Sequence, residues 1–304
     1  MHVLVTGATG FIGRHLCEAL TAAGHTVSAT SRRPVSQRSG LPGYVAVHQW
    51  DPAARPAPGV VLAGVDAIVH LAGESLQGRW SSEKKRRIRD SRVTGTRHLV
   101  EGIASAFPKP AVLVSASAAG FYGDRGDTEL TEDSSQGKGF LPQVCFEWEQ
   151  EAKRAQSLGV RVVTLRTGLV LGDGGVLRAL VPLSRMGLGG PLGNGRQWWP
   201  WVHVDDGIGA IISALTKPLS GPVNVASPEP ARQRDLANTL GRALRRPALF
   251  PAPAFALRLV LGEVATETLY SRRMRTDHLQ NAGFVFKHPH LDEALASLLN
   301  PQKR

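Results

Sequence analysis

The chain has 304 residues, of which 42% are hydrophobic and 20% are charged, and its formal net charge is +11 with a pI near 10.3. A chain of this length can bury a sizeable core, either as one large domain or as a large domain carrying a smaller one. The positive charge does not indicate a specific nucleic-acid partner. The arginines are spread along the whole length, no nucleic-acid-binding motif accompanies them, and the densest basic run, at 84–89, is typical of a solvated helix face.

The two cysteines, Cys17 and Cys145, fall in predicted helical segments and have no metal-like spacing. No signal-peptide pattern opens the sequence, and no apolar stretch is long and uninterrupted enough to span a bilayer. We therefore expect a soluble cytoplasmic protein that has no metal site and no membrane partner. Composition does not predict its oligomeric state.

The first thirteen residues predict a strand, a glycine-rich turn and the start of a helix. The strand is the apolar run at 3–5, and apolar residues with helical spacing follow the turn. In such a turn Gly7 permits a tight bend, Gly10 lets the backbone approach a pyrophosphate, and Gly13 lets the helix pack on the strand. A turn without a ligand is the weaker alternative in this context. The predicted dinucleotide contacts here are Gly7, Thr9, Gly10, Phe11, Ile12 and Gly13.

The second predicted strand, at 26–30, runs into Ser31, Arg32 and Arg33. An acidic residue here would bind the adenine ribose of NAD, whereas a serine and two arginines offer donors to a 2′-phosphate. We therefore predict NADP as the cofactor, with Arg32 as the stronger candidate because it comes sooner after the strand. An exposed basic turn is the alternative.

Strand-like and helix-like segments then alternate along the chain. The predicted strands are 44–50, 67–71, 111–115 and 160–165, and the predicted helices are 81–107 and 141–158. This alternation predicts an α/β fold, a Rossmann-type doubly wound parallel sheet. Ligands bind such sheets at the carboxyl ends of the strands. Further predicted cofactor contacts are therefore Asp51, Leu71, Ala72, Gly73, Ser115 and Arg166.

The composition changes beyond residue 166. We predict an NADP-binding Rossmann domain at 1–170 and a smaller C-terminal α/β substrate lobe built mainly from 171–304, some of whose segments return to the Rossmann sheet.

The chain resembles an extended short-chain dehydrogenase/reductase, and within that superfamily its atypical nucleoside-diphosphate-sugar epimerase branch. The superfamily motifs are found at 6–13, 69–73, 95–96, 122–123, 165–166 and 202–206. The markers of the branch are found at 70–74, 79–80, 91–92, 148–149, 187–195, 199–201 and 283–284. Together they cover essentially the whole chain. The resemblance implies that Arg92 contacts the nicotinamide half or a phosphate of the cofactor.

One departure from the superfamily concerns its acid/base pair. Typical members carry Tyr-x-x-x-Lys, in which the lysine lowers the pKa of the tyrosine so that it exchanges a proton as hydride moves. Here Leu141 and Cys145 stand at those two places. Ser117 approximates the superfamily serine, although it lies one residue further from Tyr122 than is usual.

Two side chains are candidates for the missing chemistry. Glu74 follows the fourth predicted strand and should point into the crevice, where it could orient a hydroxyl or act as a base. Its alternative is a structural ion pair, for example with Arg92. Tyr122 is the phenol nearest the end of the fifth predicted strand, and its alternative is a packing role. We predict Tyr122, Glu74 and Ser117 as catalytic residues.

A glycine-rich loop at 187–195 leads into a segment that holds half of the six tryptophans. Aromatic residues beside flexible backbone suit a planar or sugar-bearing ligand, although core packing is the alternative for each tryptophan. His203 could contact a ligand or anchor the start of a helix. The predicted substrate contacts are Trp80, Arg196, Trp199, Trp201 and His203.

These features predict an NADP(H)-dependent oxidoreductase or epimerase that acts on a carbonyl or secondary alcohol, with a nucleotide-sugar-like compound as a candidate substrate. The alternative is a protein that binds NADP(H) without turnover and acts as a redox-responsive interaction protein. Some members of the resembled branch are described as cell-division inhibitors, which this alternative would suit.

Overall fold

A computed structural model describes residues 1–32, 41–43, 45–248 and 250–299. In these ranges the strands are β1 His2–Thr6, β2 Thr26–Ser31, β3 Ala46–Gln49, β4 Ala67–His70, β5 Val112–Ala118, β6 Glu129–Leu130, β7 Arg161–Thr167, β8 Leu169–Leu171, β9 Trp198–Trp199, β10 Trp201–His203, β11 Gly221–Val225, β12 Ala231–Arg232 and β13 Arg273–Met274. The α-helices are α1 Phe11–Ala22, α2 Gly59–Leu62, α3 Ser82–Ser105, α4 Phe140–Lys153, α5 Leu177–Arg185, α6 Val204–Thr216, α7 Gln233–Ala243, α8 Ala254–Leu261, α9 Val264–Leu269, α10 Asp277–Asn281 and α11 Leu291–Leu299.

Seven strands form one parallel sheet in the order β11-β7-β5-β4-β1-β2-β3. The chain order runs outward in both directions from the neighbours β1 and β4. The crevice between their carboxyl ends is the place where an open α/β sheet binds ligands. The predicted fold class is therefore confirmed.

The central strands form around short apolar runs, because strands covered by helices on both faces bury successive side chains. Residues 3–5 of β1 and 67–69 of β4 are fully buried. On one face of the sheet, α1 and α6 contribute Leu16, Ile208 and Ile211 to the core. On the other face, α3 contributes Leu99 and Ile103. Helices therefore cover both faces of the sheet whose carboxyl end forms the crevice.

The predicted elements match the structure closely in this part of the chain. The strand predicted at 44–50 begins in the structure at Ala46, and residue 44 lies outside the described residues. The helix predicted at 141–158 comprises α4 and a 3-10 turn, Arg154–Leu158.

The segments after residue 170 contribute to two regions. Helix α6 packs on α1, and β11 pairs with β7 at the edge of the large sheet. The rest forms a lobe with its own core around Trp199, Trp201 and Leu236. Two-residue strands pair within this lobe and connect it to the chain after β5.

Both cysteines are buried and neither forms a disulfide. Across the described residues, no helix is long and apolar enough to cross a lipid bilayer.

Candidate functional site

The glycine-rich turn lies at the start of the crevice, between β1 and α1. Gly7 has a φ of +71°, and a Cβ atom on it would lie 2.7 Å from the carbonyl carbon of Leu71. A Cβ atom on Gly13 would lie 2.6 Å from the Cα atom of Ala8. Helix α1 begins after Gly10 with no side-chain cap and no acidic residue in its first turn. Its first N–H groups therefore suit an anion.

A first cavity of about 210 Å³ extends from this turn toward the ends of β2 and β3. It is lined by Gly7, Thr9, Gly10, Thr30, Ser31, Arg32, Trp50, Asp51, Pro52, Ala53, Leu71, Ala72, Gly73, Glu74 and Ser91. Nine of the predicted cofactor contacts are among these residues. Arg33 lies outside the described residues.

A second cavity of about 300 Å³ lies on the other side of the turn and shares Gly7, Gly10 and Leu71 with the first. Its remaining lining is Phe11, Ile12, Gly13, Leu76, Arg92, Ala116, Ser117, Ala118, Leu141, Val144, Cys145 and Trp148. The two cavities form one cleft along the carboxyl end of the sheet. Such a cleft has a polar end beside Arg32 and a mostly apolar end beside α4.

Arg92, on α3, is the cation of the second cavity. One guanidinium nitrogen donates to the carbonyl oxygens of Glu74, at 3.0 Å, and Ile88, at 3.2 Å. The guanidinium carbon lies 5.4 Å from the ring centroid of Trp148. Burial lowers the pKa of Arg92, because water is excluded from the charged group. A cation held against an apolar cavity interacts strongly with any negative charge that enters it.

Glu74 lines the first cavity, and its side chain binds the basic helix α3. The Nζ atom of Lys84 lies 2.7 Å from a Glu74 carboxylate oxygen, and Arg87 approaches the same oxygen at 3.7 Å. The hydrogen bond from Lys84 lowers the pKa of Glu74. The structural ion pair considered for Glu74 therefore exists, but with Lys84 and Arg87 rather than with Arg92, which binds the Glu74 carbonyl oxygen instead.

Tyr122 is fully buried and lines neither cavity. Its hydroxyl donates to Oδ1 of Asn224 at 2.6 Å and accepts from Arg166 at 3.1 Å. Burial raises the pKa of Tyr122 to about 12. This geometry favours the packing role over proton transfer.

Arg166 also lies beneath the cavities rather than on them. It forms a buried two-bond ion pair with Glu149, with both N···O distances at 2.9 Å. The predicted cofactor contact Ser115 is likewise fully buried and lines neither cavity. Ser117 links this buried layer to the second cavity, because its hydroxyl donates to Glu149 at 2.6 Å while the residue lines the cavity. The Ser117 oxygen can therefore accept a hydrogen bond from a ligand hydroxyl.

Leu141 and Cys145, which replace the usual tyrosine and lysine, both line the second cavity. Burial raises the pKa of the Cys145 thiol to about 12, so it stays protonated at neutral pH. Among the residues that line this cavity, Arg92 and Cys145 are those with ionisable side chains.

The predicted substrate residues separate into two groups. Trp80 lies beside the second cavity, where its N–H donates to the carbonyl oxygen of Leu76 and its ring meets that of Phe140 edge-on. Trp199 and Trp201 are instead buried in the core of the lobe, and their indole N–H groups donate to backbone carbonyl oxygens. Core packing, the alternative considered for both, describes their surroundings.

His203 and Arg196 also lie away from the cavity linings. The fully buried His203 caps α6 by accepting a hydrogen bond from the Asp205 backbone N–H at 3.1 Å. Arg196 is exposed and its carbonyl oxygen accepts from Arg232. Helix anchoring, the alternative considered for His203, is the role that these contacts give it.

Sequence reasoning did not propose Leu76, Ser91, Val144 or Trp148 as site residues, although all of them line a cavity. A signal for α4 was present. Positions 141, 144, 145 and 148 follow the i, i+3, i+4, i+7 pattern of a single helix face, and the superfamily pair places that face on the cofactor.

The cleft fits a dinucleotide. Its central turn excludes side chains at Gly7 and Gly13, an uncapped helix N-terminus meets it, and the two cavities extend from it in opposite directions. Ser31 and Arg32 line the first of these cavities.

Comparisons with known proteins agree with this geometry. Residues 3–226 match the profile of the NAD dependent epimerase/dehydratase family. The chain belongs to that family. Residues 252–298 match a second profile, described as a domain of unknown function (DUF1731).

Relatives resemble the chain along nearly its whole length. It is 39% identical to the epimerase family protein SDR39U1 homolog, chloroplastic, of Arabidopsis thaliana, covering 98% of this chain and 87% of the relative. It is 40% identical to an epimerase family protein of Mycobacterium bovis, covering 96% of each. The family resemblance predicted from the motifs is therefore confirmed.

Solved structures show the same fold. The crystal structure of human epimerase family protein SDR39U1 with NADPH has a TM-score of 0.88 and 33% identity, covering 98% of this chain and 99% of that one. MoeE5 in complex with UDP-glucuronic acid and NAD has a TM-score of 0.79 and 23% identity, covering 100% and 99%. The second likeness shows the fold alone. The prediction of NADP agrees with the cofactor of the human relative.

Proposed function

We propose that the protein is an NADP(H)-dependent oxidoreductase or epimerase that acts on a carbonyl or a secondary alcohol. The observation that carries this proposal is the continuous cleft, with Ser31 and Arg32 at one end and Arg92 at the other. The NADPH in the human relative supports the cofactor assignment. We further propose that the substrate of this protein resembles a nucleotide sugar.

When bound, the cofactor supplies or accepts hydride at the nicotinamide ring. Reduction of a carbonyl in the second cavity would place negative charge on the substrate oxygen, which would take a proton from solvent water to become a hydroxyl, and oxidation of an alcohol would return that proton to solvent. Arg92 is positioned to stabilise that charge, because it is a half-buried cation oriented in advance by two carbonyl oxygens. Ser117 orients the substrate hydroxyl by accepting a hydrogen bond from it. Glu149 holds the serine in place by accepting the hydrogen bond of the Ser117 hydroxyl.

Tyr122 and Glu74 have weaker support as catalytic groups. The Tyr122 phenol is bound to Asn224 and Arg166, and the Glu74 carboxylate is bound to Lys84. Arg92 therefore has the central role, and Tyr122 holds Arg166 in place through a hydrogen bond.

A specific observation favours a second candidate function, a protein that binds NADP(H) without turnover and responds to its redox state. Leu141 and Cys145 face the cavity where an acid/base pair would act, and the Cys145 thiol is not ionised at neutral pH. A cleft of this kind can bind the cofactor without supplying a proton.

The experiment is a screen of a fractionated metabolite extract, together with UDP-glucose and UDP-glucuronic acid. It seeks compounds that oxidise NADPH or reduce NADP in the presence of the protein. Products are identified by mass spectrometry after incubation with deuterium-labelled NADPH. Deuterium in a product formed by the wild type, and no such product with Arg92→Gln, would support an enzymatic function. An epimerase is recognised by interconversion of two isomers without net cofactor consumption.

Tight NADPH binding without any turnover, combined with a protein partner that binds only one redox form, would support the second candidate instead. Failure to bind either cofactor would overturn both.

A further inference from the structure

Helix α8, Ala254–Leu261, lies on the surface of the lobe. None of its eight residues is buried. Phe255 is 74% exposed and Leu259 is 75% exposed, and both lie with the exposed Arg258 on one face at the i, i+3, i+4 positions. The neighbouring Val260 is 68% exposed. The helix therefore presents a ridge of large apolar side chains to solvent.

Helix α5 and the turn after it carry a second ridge of the same kind. Ala179, Pro182, Leu183 and Met186 follow the i, i+3, i+4, i+7 pattern, and all four are exposed. Leu188, two residues further on, is also exposed. Seven of the twelve exposed large apolar side chains of the described residues belong to these two segments and to Phe250 beside α8.

The two segments are joined by backbone hydrogen bonds. The Gly193 N–H donates to the Ala252 carbonyl oxygen, and the Ala252 N–H donates to that of Pro191, both at 2.8 Å. The loop after α5 therefore pairs with the chain that leads into α8. We call the exposed residues of 178–188, Phe250 and the exposed residues of α8 the apolar-basic face.

The chain segments that carry this face contain basic but no acidic residues, and Glu263, the first carboxylate after α8, is paired with Lys85. The sequence contains no aspartate or glutamate at 174–204 or at 236–262. These two stretches contain seven arginines, all of them exposed: Arg178, Arg185, Arg196, Arg242, Arg245, Arg246 and Arg258. Protruding apolar side chains flanked by arginines are the combination that binds the interface of an anionic membrane.

We propose that the apolar-basic face binds reversibly to anionic lipid surfaces, with Phe255 and Leu259 inserted at the interface and the arginines on the headgroups. A second copy of the chain fits less well, because a symmetric dimer would place this all-basic face against itself. A groove in another protein also fits less well, because a groove takes one helix face, whereas these side chains belong to two segments joined by backbone hydrogen bonds. This inference does not depend on the activity of the cleft.

The test is flotation of the purified full-length protein with vesicles of phosphatidylcholine and phosphatidylglycerol at a 7:3 ratio, and with vesicles of phosphatidylcholine alone. We expect binding to the anionic vesicles that weakens as salt is raised. The double variant Arg185→Gln with Arg258→Gln should bind about 25-fold more weakly, because each basic residue contributes about fivefold at such a surface. Arg86→Gln with Lys109→Gln removes two exposed charges elsewhere and should bind nearly as the wild type does.

The apolar part has its own pair of variants. Phe255→Ser with Leu259→Ser should lower vesicle binding at least about tenfold, since each of these side chains buries apolar area on insertion. Val60→Ser with Val285→Ser removes two side chains that are 67% and 82% exposed elsewhere and should not lower it. Circular dichroism and NADPH affinity check that each variant is folded.

Two results would overturn the proposal. One is the absence of binding to the anionic vesicles. The other is equal loss of binding in the two pairs of apolar variants. A concentration-dependent dimer that Phe255→Ser with Leu259→Ser abolishes, without vesicle binding by the wild type, would assign the face to self-association instead.

Discussion

At the scale of single residues, the ionisable groups that line the cleft or lie beneath it differ in what their charged or polar atoms contact. Glu74 and Arg166 are satisfied by protein partners, and the Tyr122 hydroxyl is held between two side chains. The Arg92 guanidinium donates to two backbone carbonyl oxygens, lies over the Trp148 ring and lines the apolar cavity. Arg92 is therefore the charged side chain that a ligand in the second cavity can contact. It stands outside the usual tyrosine-lysine pair.

The first prediction concerns Arg92. With a substrate found by the screen, Arg92→Gln should lower kcat about 10²–10³-fold, because a donor aimed at developing negative charge is lost. Arg92→Lys should recover part of that loss, and Arg86→Gln, on the exposed side of the same helix, should not change kcat. Unchanged turnover in Arg92→Gln with NADPH bound would contradict the proposed role.

The second prediction concerns Tyr122. Tyr122→Phe removes the buried hydrogen bonds that the hydroxyl gives to Oδ1 of Asn224 and accepts from Arg166, so it should lower the free energy of unfolding by about 1–3 kcal/mol. Turnover and NADPH affinity should be largely retained, as they should in Glu74→Gln. If either variant instead loses about 10²–10⁴-fold in turnover while it still binds NADPH, that side chain is an acid/base catalyst after all.

The third prediction concerns His70, which is fully buried between the hydroxyls of Thr6, at 2.7 Å, and Thr96, at 3.1 Å. Burial lowers the pKa of His70 to about 4. The unfolded chain therefore binds a proton at His70 between about pH 6.5 and 4 that the folded protein does not bind. The stability from the neutral side chain is complete above pH 6.5 and is lost as the pH falls toward 4, by roughly 3 kcal/mol.

Urea unfolding of the wild type and of His70→Gln at several values between pH 4 and 7.5 measures this contribution. The variant should show a shallower decline in stability below pH 6.5. Parallel curves for the two proteins would mean that His70 does not titrate in this way.

At the scale of elements, the site depends on how closely β1, α1 and β4 approach one another. The fourth prediction is that Gly13→Ala destabilises the protein by about 1–3 kcal/mol, because its Cβ atom would overlap the Gly7 carbonyl oxygen and the Ala8 backbone. NADPH binding should weaken as well, since the turn must shift. Gly59→Ala is the matched control, because a Cβ atom there meets no atom within 4 Å. Equal stability of the two variants would contradict the close packing.

The same scale explains what the sequence could predict. The apolar runs at 3–5 in β1 and 67–69 in β4 could be recognised directly, as could the turn between β1 and α1. The lobe could not be predicted in the same way, because strands of two residues, such as β9 and β12, have no periodicity. The burial of Trp201 depends on β10 pairing with β8, and the partner of Tyr122 is 102 residues away in the sequence. Local sequence patterns do not predict contacts between residues so far apart in the chain.

At the scale of the whole molecule, ion pairs compensate part of the basic charge behind the net charge of +11. Much of the basic helix α3 is neutralised, since Lys84, Lys85, Arg87 and Arg89 each meet a carboxylate. The fifth prediction is therefore that DNA, single-stranded or duplex, binds weakly and without sequence preference, and that this binding is lost near 150 mM salt. Fluorescence anisotropy with labelled oligonucleotides measures it, and sub-micromolar binding that survives at this salt concentration would restore a nucleic-acid function.

We propose that the cleft binds NADP(H) with the 2′-phosphate at Ser31 and Arg32, and a titration with two cofactors measures this preference. NADPH and NADH are added to the wild type and to Arg32→Ala, and energy transfer from the tryptophans that line the cavities, Trp50 and Trp148, reports binding. We predict that the wild type binds NADPH at least about tenfold more tightly than NADH, because a charge-assisted hydrogen bond contributes about 1.5–3 kcal/mol, and that Arg32→Ala removes most of this difference. Equal affinity for the two cofactors in the wild type, or an unchanged preference in Arg32→Ala, would contradict the account.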